Sequence, residues 1–225
     1  MTLNPLLHVA IIPDGNRRWA KAQGLAAWRG HEASTENFRT LLDCAEQDGR
    51  VGVLTFWCFS TENWKRDRGE VNKLMAMLEK YLRTERAEMK KKSIRVAHSG
   101  RTDRLPPALT TMLEEIQQDT PVGARFTLHL AIDYGGRDEV TRAVTRLNGA
   151  EPTEEAIRAH LDHPELPDID LIIRTSGERR TSNFCLWQST YAEWIFSPKL
   201  FPEFGTGDLK DALDAFGDRK RRFGA

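Results

Sequence analysis

Hydrophobic positions along this chain follow two periods, which predict strands and helices in alternation. Residues 6–12, 51–59 and 125–132 are apolar runs. The second is apolar on both faces, as a strand inside a covered parallel sheet is. Two shorter strands are predicted at residues 94–98 and within DIDLIIRTSGE, residues 168–178. The pattern therefore predicts at least five strands separated by long connections.

Helical spacing of apolar residues fills most of these connections. One predicted helix face carries residues at i, i+3, i+4 and i+7, namely Phe38, Leu41, Leu42 and Ala45. The same spacing predicts a long helix over residues 70–91, and the Gly-rich turn DYGGR at 133–137 leads into another. Residues 148–168 are polar, with three prolines around a short helix, and are predicted to form a surface connection.

Strands alternating with helices predict one α/β domain over residues 1–225, with a largely parallel central sheet surrounded by helices. In such folds, ligands bind at the carboxyl ends of the strands. Four predicted strand ends carry polar clusters: PDGNRRW, STENWKR, DYGGR and RTSGERRTSNF. We therefore expect these four segments to face one crevice, although they are far apart in the sequence.

The four clusters combine cations, hydroxyls and glycines, a combination that suits phosphate oxygens. The cations and hydroxyls are Arg17, Arg18, Arg66, Arg137, Arg174, Arg179, Arg180, Ser60, Thr61, Ser176, Thr181 and Ser182. Asp14 and Glu193 are the acids that stand out. Beside so many cations, a carboxylate is more useful as a Mg²⁺ ligand than as a turn former. The chain contains no P-loop, dinucleotide fingerprint or nucleophile elbow.

Tryptophans lie at or near the same clusters, with Phe56 and Phe59 beside them. They are Trp19, Trp28, Trp57, Trp64, Trp187 and Trp194. For Trp57, which is on a predicted strand, packing in the core explains the residue equally well. A phosphate site beside an aromatic-lined apolar cavity suits an isoprenoid diphosphate, because aromatic faces stabilise a developing carbocation.

Composition narrows the class of protein. The chain has 33 Lys and Arg against 33 Asp and Glu, and a net charge of zero argues against broad binding to nucleic acid. No apolar run approaches the ~20 residues that span a bilayer, and the N-terminus does not resemble a signal peptide. Cys44, Cys58 and Cys185 lack metal-ligand spacing, so we expect reduced cysteines and a cytoplasmic location.

Several long motifs, in order, resemble the cis-prenyltransferase family, typified by undecaprenyl diphosphate synthase. They are HVAIIPDGNRRWA, GH at 30–31, FSTENWKR, YGGR, IRTSGERRTSNFCLWQSTYAEWIF and the terminal RKRRFG, and the resemblance covers roughly residues 8–224. The resemblance implies a homodimeric, Mg²⁺-dependent transferase with a parallel sheet around a hydrophobic substrate tunnel. Family members ionise an allylic diphosphate and join its C1 to a second prenyl unit.

The resemblance also implies roles for individual residues. Asp14 is similar to the family's Mg²⁺-binding aspartate, Glu193 to a second metal-side carboxylate, and His31 to a histidine near the departing phosphate. Asn63 matches a proposed proton-handling residue. The predicted substrate-binding residues are Gly15, Asn16, Arg17, Arg18 and Trp19 at the allylic diphosphate, Ser60, Thr61, Glu62, Trp64 and Arg66 in the second cluster, and Arg174, Arg180, Thr181 and Ser182 at the homoallylic diphosphate. The terminal cations at 219–222 are expected to reach the neighbouring subunit.

Several positions depart from the family pattern. Ala27 stands where an arginine usually helps to hold the allylic diphosphate, and Arg29 is a candidate replacement. The other departures are Pro13 for methionine, Arg17 for glycine, Asp67 for proline, Arg101 for the aspartate of a GD pair, Asp133 for asparagine and Ser176 for glycine. Pro13 also fixes φ and removes an amide donor beside Asp14.

These departures favour a branch of the family that joins two dimethylallyl diphosphates head to middle. The product would be a branched or cyclic monoterpene diphosphate of the lavandulyl type. One alternative is regular head-to-tail chain elongation with isopentenyl diphosphate. A non-catalytic partner subunit is a third reading, and the presence of Asp14, Asn63, Arg180 and Glu193 argues against it.

Overall fold

A computed structural model describes residues 6–119 and 123–218, which form a six-stranded, all-parallel sheet with helices around it. The strand order is β3-β4-β2-β1-β5-β6. The strands are β1 Leu7–Ile12, β2 Val51–Ser60, β3 Ile94–Ser99, β4 Phe126–Tyr134, β5 Leu171–Arg174 and β6 Glu193–Phe196. The helices are α1 Asn16–Ala22, α2 Ala27–Gln47, α3 Arg68–Lys91, α4 Pro107–Gln118, α5 Gly136–Arg146, α6 Glu154–Ala159 and α7 Thr206–Gly217.

This architecture confirms the predicted α/β class, and each predicted strand lies within a few residues of its expected place. The elements that the sequence pattern missed are α1, α4, α7 and the edge strand β6. In α1 the polar stretch NRRW forms a helix rather than a loop. Two short 3₁₀ turns, Thr61–Lys65 and Phe201–Glu203, complete the described elements. No helix in the described part of the chain is long and apolar enough to cross a membrane.

The two faces of the sheet bury different kinds of side chain. One face packs large apolar residues against α2, α3, α4 and α7. Phe56 on this face is fully buried, and its ring centroid lies 4.0 Å from that of Phe38. The other face carries a row of buried polar groups. His8 Nε2 lies 2.7 Å from Thr55 Oγ1, and His129 bonds both Thr55 and Ser99. Because these polar atoms are paired with one another, the row can be buried without a large desolvation cost.

Close packing between α1 and α2 fixes the segment that follows β1. A Cβ at Gly30 would lie 1.9 Å from the carbonyl oxygen of Asn16, so only glycine fits at this crossing. Ser34 Oγ donates to Asn16 Oδ1 at 2.6 Å and thereby orients the Asn16 amide. Gly15 has a φ of +103°, in the left-handed region, and turns the chain from β1 into α1. The first turn of α1 is thus held next to His31 on α2.

Two further expectations concern the cysteines and the terminal cations. Cys44, Cys58 and Cys185 are free thiols, and burial raises the pKa of Cys58 to about 12. The expected contact of the terminal cations at 219–222 with a neighbouring subunit lies outside the described residues.

Candidate active site

The four polar clusters meet at the carboxyl ends of β1, β2, β4 and β5. Contacts between clusters fix this arrangement: Arg174 Nη2 donates to Asp14 Oδ2 at 2.8 Å, and Asn183 Nδ2 donates to Glu62 Oε1 at 3.2 Å. The amide of Arg137 donates to Asn183 Oδ1 at 2.8 Å. The expectation that the clusters face one crevice is therefore met by contacts between residues more than 40 positions apart.

The crevice is a cleft of about 570 Å³. It is lined by Ile12, Pro13, Asp14, Asn16, His31, Trp57, Cys58, Ser60, Glu62, Asn63, Arg66, Arg137, Arg174, Ser182 and Asn183. An outer part of about 340 Å³ shares Asp14 and Arg66 with the cleft. It adds Gly15, Arg17, Arg18, Glu178 and Arg180. Cations thus surround Asp14 on both sides.

Asp14 and Arg174 form the central ion pair of the cleft. Arg174 is only 4% exposed, and its Nη1 donates to the carbonyl of Arg180 at 2.6 Å and to Ser182 Oγ at 2.9 Å. Its Nε is buried and has no hydrogen-bond partner among the described residues. Burial opposes ionisation of Asp14, but the hydrogen bond and charge of Arg174 outweigh it and lower the pKa of Asp14. The carboxylate is therefore ionised at neutral pH.

The arginines of α1 contact acids at the mouth of the cleft. Arg18 Nη2 donates to Ser176 Oγ at 2.5 Å and lies 3.6 Å from Asp14 Oδ1. Arg17 is more exposed, and its Nε lies 3.7 Å from Glu70 Oε1 on α3. Arg66 Nη1 lies 3.4 Å from the same oxygen of Glu70. Two of the predicted diphosphate-binding arginines therefore share one carboxylate at the first turn of α3.

The 3₁₀ turn Thr61–Lys65 presents the second cluster to the cleft. Asn63 Oδ1 accepts a hydrogen bond from the Ser60 amide at 3.2 Å, which holds the start of the turn. Thr61 packs against Gly135, where a Cβ would lie 2.8 Å from Thr61 Oγ1. Trp64 faces away from the cleft wall, and its Nε1 donates to Asp133 Oδ1 at 2.8 Å. The turn thus shows Glu62 and Asn63 to the cleft and its tryptophan to the protein interior.

His31 enters the cleft as a neutral base. Its Nδ1 lies 3.4 Å from the side-chain nitrogen Nδ2 of Asn16. Its Nε2 is buried without a partner in the described residues. Burial, with smaller contributions from the charges of Arg66 and Arg17, lowers the pKa of His31 to about 4. The Nε2 is therefore a buried polar atom without a compensating hydrogen bond from the described residues.

An apolar cavity of about 100 Å³ joins the cleft at Pro13, Asn16, His31 and Cys58. Its remaining walls come from α2, α3, β4 and the 3₁₀ turn Phe201–Glu203: Ser34, Thr35, Phe38, Leu74, Met77, Leu78, Tyr81, Leu82, Leu130 and Phe201. A hydrocarbon chain whose polar end lay in the cleft would extend into this cavity. The space corresponds in position to the predicted hydrophobic tunnel.

The predicted aromatic lining is wrong in its residues. Of the six tryptophans, Trp57 lines the cleft, and none lines the apolar cavity; its aromatic walls are Phe38, Tyr81 and Phe201. Three of the others have local partners instead: Trp28 lies under Arg29 and Lys73, Trp194 stacks on Phe196, and Trp64 donates to Asp133. Phe56 and Phe59 are buried in the main core.

Glu193 does not lie beside Asp14 in this chain, which corrects the expected metal-side pair. It is the first residue of β6 and pairs in register with Leu171, whereas Arg174 at the cleft pairs with Phe196. Along the strands, Glu193 is three residues from the level of Arg174, a distance of roughly 10 Å. In addition, β6 lies two strands from β1. Within residues 6–119 and 123–218, no group of three or more His, Cys, Asp or Glu residues is arranged to hold a metal ion.

Three other predicted residues lie near the cleft without lining it: Trp19, Thr61 and Thr181. Sequence reasoning missed Cys58 and Asn183 in the cleft, Glu178 in its outer part, and most of the cavity wall. Asn183 lies within the polar cluster TSNF, and this position could have suggested its place in the cleft. Its φ is +69°, in the left-handed region. The cavity residues Leu74, Leu78 and Leu82 were recognised only as a helix face.

Comparison with known proteins identifies the family. Residues 12–224 match the family described as "Putative undecaprenyl diphosphate synthase". The chain is 43% identical over 227 residues to an isoprenyl transferase of Aquifex pyrophilus, covering 100% of this chain and 98% of the relative. It is 42% identical over 220 residues to isoprenyl transferase 1 of Bradyrhizobium diazoefficiens, covering 97% of this chain and 89% of that relative.

The chain belongs to the undecaprenyl diphosphate synthase family of prenyltransferases. Solved structures agree with this assignment. Lavandulyl diphosphate synthase from Lavandula x intermedia, in complex with dimethylallyl diphosphate, superposes with a TM-score of 0.92 at 35% identity, covering 97% of this chain and 98% of that one. A "probable undecaprenyl diphosphate synthase" from Campylobacter jejuni superposes with a TM-score of 0.83 at 31% identity, covering 99% and 100%.

Most departures from the family pattern have local partners in this prenyltransferase. Arg29 pairs with Glu32, lies over Trp28, and lines neither the cleft nor its outer part. Arg17 contacts Glu70 at the mouth, and Ser176 accepts a hydrogen bond from Arg18. Pro13 is the departure that reaches the junction of cleft and cavity. The departures therefore reshape the diphosphate cleft less than the sequence suggests.

The lowered pKa of His31 predicts a loss of stability in mild acid. We expect the free energy of unfolding of the ligand-free protein to fall between pH 7 and pH 5, because the unfolded imidazole takes up a proton first. The pKa is 6.5 unfolded and about 4 folded, so the contribution is complete above pH 6.5 and lost toward pH 4. The contribution of His31 to this loss at pH 5 is roughly 2 kcal/mol. Urea unfolding of the wild type and His31→Gln at both pH values measures it.

The buried His8 remains in the variant and serves as an internal reference. Burial lowers its pKa to about 4 as well, so His31→Gln should keep part of the pH dependence. A variant that loses stability as steeply as the wild type would contradict a neutral, buried His31.

Proposed function

We propose that this prenyltransferase elongates an allylic diphosphate, such as dimethylallyl diphosphate, head to tail with isopentenyl diphosphate. The allylic C1–O bond breaks, diphosphate leaves, C4 of isopentenyl diphosphate bonds to C1, and a proton leaves C2. The observation that carries this proposal is the junction of the cation-rich cleft with the apolar cavity at Pro13, Asn16 and His31. A diphosphate and its hydrocarbon tail need these two environments side by side.

The outer part of the cleft suits the allylic diphosphate. Arg18, Arg66 and Arg180 line it, and arginine guanidinium groups bind phosphate oxygens in a forked geometry. These cations would stabilise the negative charge that grows on the diphosphate as its bond to carbon breaks, and preorganised charges of this kind are usually the largest catalytic term. Gly15 allows the chain to turn there, and Asn16 is held in place by Ser34.

The inner part of the cleft suits the diphosphate of the second substrate. Two arginines and two hydroxyls line this space: Arg137, Arg174, Ser60 and Ser182. Asn63 belongs to the 3₁₀ turn and lines this region next to Glu62. We assign to Asn63 the orientation of the substrate from which the proton leaves. His31, which lines both the cleft and the apolar cavity, would lie beside the departing diphosphate.

We propose that Asp14 binds Mg²⁺ together with oxygens of the substrate diphosphate. Asp14 fits this ion because Mg²⁺ is bound in proteins through one or two carboxylates plus substrate phosphates. The Asp14 carboxylate is ionised, 29% exposed and open to the cleft. When bound there, the ion would supply Lewis-acid stabilisation of the departing diphosphate. Glu193 is not assigned to this ion, because it lies at the other end of β6.

A second candidate function is the head-to-middle joining of two dimethylallyl diphosphates. The high TM-score to a lavandulyl diphosphate synthase bound to dimethylallyl diphosphate favours it. Against it, the sequence relatives with 42–43% identity carry the name isoprenyl transferase. In addition, Arg17, Arg29 and Ser176 are paired with neighbouring residues rather than with the inner cleft. We therefore place chain elongation first.

A substrate assay separates these two candidates. We expect the purified protein with Mg²⁺ to give a linear prenyl diphosphate from dimethylallyl and isopentenyl diphosphates together. With dimethylallyl diphosphate alone we expect no carbon–carbon bond formation, because that substrate lacks the terminal alkene carbon that attacks C1. Chromatography with mass detection measures the products. A branched or cyclic ten-carbon diphosphate from dimethylallyl diphosphate alone would reverse the order of the two candidates.

We also propose that the protein is a homodimer. β6 is the outermost strand of the described sheet, and Tyr191, two residues before this strand, is 71% exposed. Exposed apolar groups beside an open sheet edge are typical of protein interfaces.

Sedimentation velocity at micromolar concentration tests the dimer. We expect twice the mass of one chain for the wild type and one chain for Tyr191→Arg, because a buried unpaired charge disfavours the interface. Leu25→Arg, at another exposed apolar position, is the matched control and should stay dimeric. A monomeric wild type would contradict the proposal.

A further inference from the structure

We infer that Asp133 and Arg104 form a positioning pair that holds the 3₁₀ turn Thr61–Lys65 in place through the indole of Trp64. The inference rests on the proposed function, because this turn carries Asn63 and Glu62 to the cleft. Neither Asp133 nor Arg104 lines the cleft, its outer part or the apolar cavity. Their effect on turnover would therefore pass through the turn rather than through contact with substrate.

Asp133 is a fully buried carboxylate at the carboxyl end of β4. Its side chain has 0% exposure, and its φ of +52° places it in the left-handed region, which Asp and Asn tolerate better than most residues. Oδ2 accepts from Arg104 Nε at 2.8 Å, and Oδ1 accepts from Arg104 Nη2 and, at 2.8 Å, from Trp64 Nε1. The carboxylate thus joins the guanidinium and the indole.

Trp64 is held by three separate contacts. Besides the bond to Asp133, its ring meets Phe59 edge to face at a centroid distance of 5.1 Å, and the Arg104 guanidinium lies 5.7 Å from the ring centroid. Asn63 precedes Trp64 directly, and the carbonyl of Asn63 accepts from the Arg66 amide at 3.0 Å. A shift of the indole would therefore move Asn63 and, through this hydrogen bond, the backbone of Arg66.

Arg104 supplies the guanidinium that pairs with the buried carboxylate of Asp133. A buried carboxylate that loses its cation carries a large desolvation cost, and the local structure would open to admit water. An asparagine at this position would keep an acceptor oxygen for Trp64 without the charge. The structure therefore predicts a dependence between two side chains: Arg104 matters while residue 133 is Asp and matters much less when it is Asn.

The experiment compares Arg104→Gln, Asp133→Asn and the double variant with the wild type. We expect Arg104→Gln to lower kcat by about tenfold to a hundredfold, as displacement of a reacting group by about 1 Å does. We expect KM for each diphosphate to change by less than about twofold, because the diphosphate arginines are untouched. The double variant should recover kcat to within about threefold of Asp133→Asn. Arg101→Gln is the matched control, because that arginine pairs with Asp103 and Asp138 and should leave kcat unchanged.

Hydrogen–deuterium exchange of residues 60–66 gives a reading that does not depend on turnover. Exchange should be faster in Arg104→Gln and return toward the wild-type rate in the double variant, since local opening exposes these amides. If the wild type makes no prenyl product, the proposed function fails while this exchange result still tests the pair. Unchanged exchange and kcat in Arg104→Gln, or a double variant no better than Arg104→Gln, would overturn the inference.

Discussion

The ion pair between Asp14 and Arg174 is the contact on which the arrangement of the cleft depends. It joins the carboxyl ends of β1 and β5, and Arg174 also holds the carbonyl of Arg180 and the hydroxyl of Ser182. Thr175 Oγ1 donates to the Asp14 carbonyl at 2.7 Å, so the backbone of the acid is fixed as well. The pair keeps one anion ionised among several cations before any substrate is present, which lowers the reorganisation that the reaction would need.

The position of the cleft follows from packing beneath it. The parallel sheet brings four strand ends to one edge, and the crossing at Gly30 brings His31 from α2 to the same place. Large apolar residues between α2, α3 and the sheet leave a cavity that opens beside Pro13 and His31. Charge and hydrocarbon are thus separated by a short wall of residues from α1, α2 and β2, which is the separation that a prenyl diphosphate requires.

Much of this could be predicted from the sequence, and the exceptions have physical causes. The buried strands follow from the hydrophobic period. The convergence of PDGNRRW with RTSGERRTSNF follows because the carboxyl ends of parallel strands lie at one edge of the sheet. Glu193 was misplaced because a motif match fixes sequence order and not the register of β6 against β5. The tryptophans were misassigned because an indole finds equally good partners in an arginine or a buried acid, as Trp28 and Trp64 do. Side-chain pairing of this kind has no signature in spacing.

The proposed role of Asp14 is to link Mg²⁺ to the substrate diphosphate. Calorimetric binding of inorganic diphosphate, with and without Mg²⁺, tests it in the wild type, Asp14→Asn and the exposed control Asp214→Asn. We expect Mg²⁺ to tighten binding about tenfold or more in the wild type and the control, by charge-assisted contacts. Asp14→Asn should lose this gain, yet bind diphosphate without Mg²⁺ at least as tightly as the wild type, since one negative charge is gone. An undiminished Mg²⁺ effect in Asp14→Asn would contradict the account.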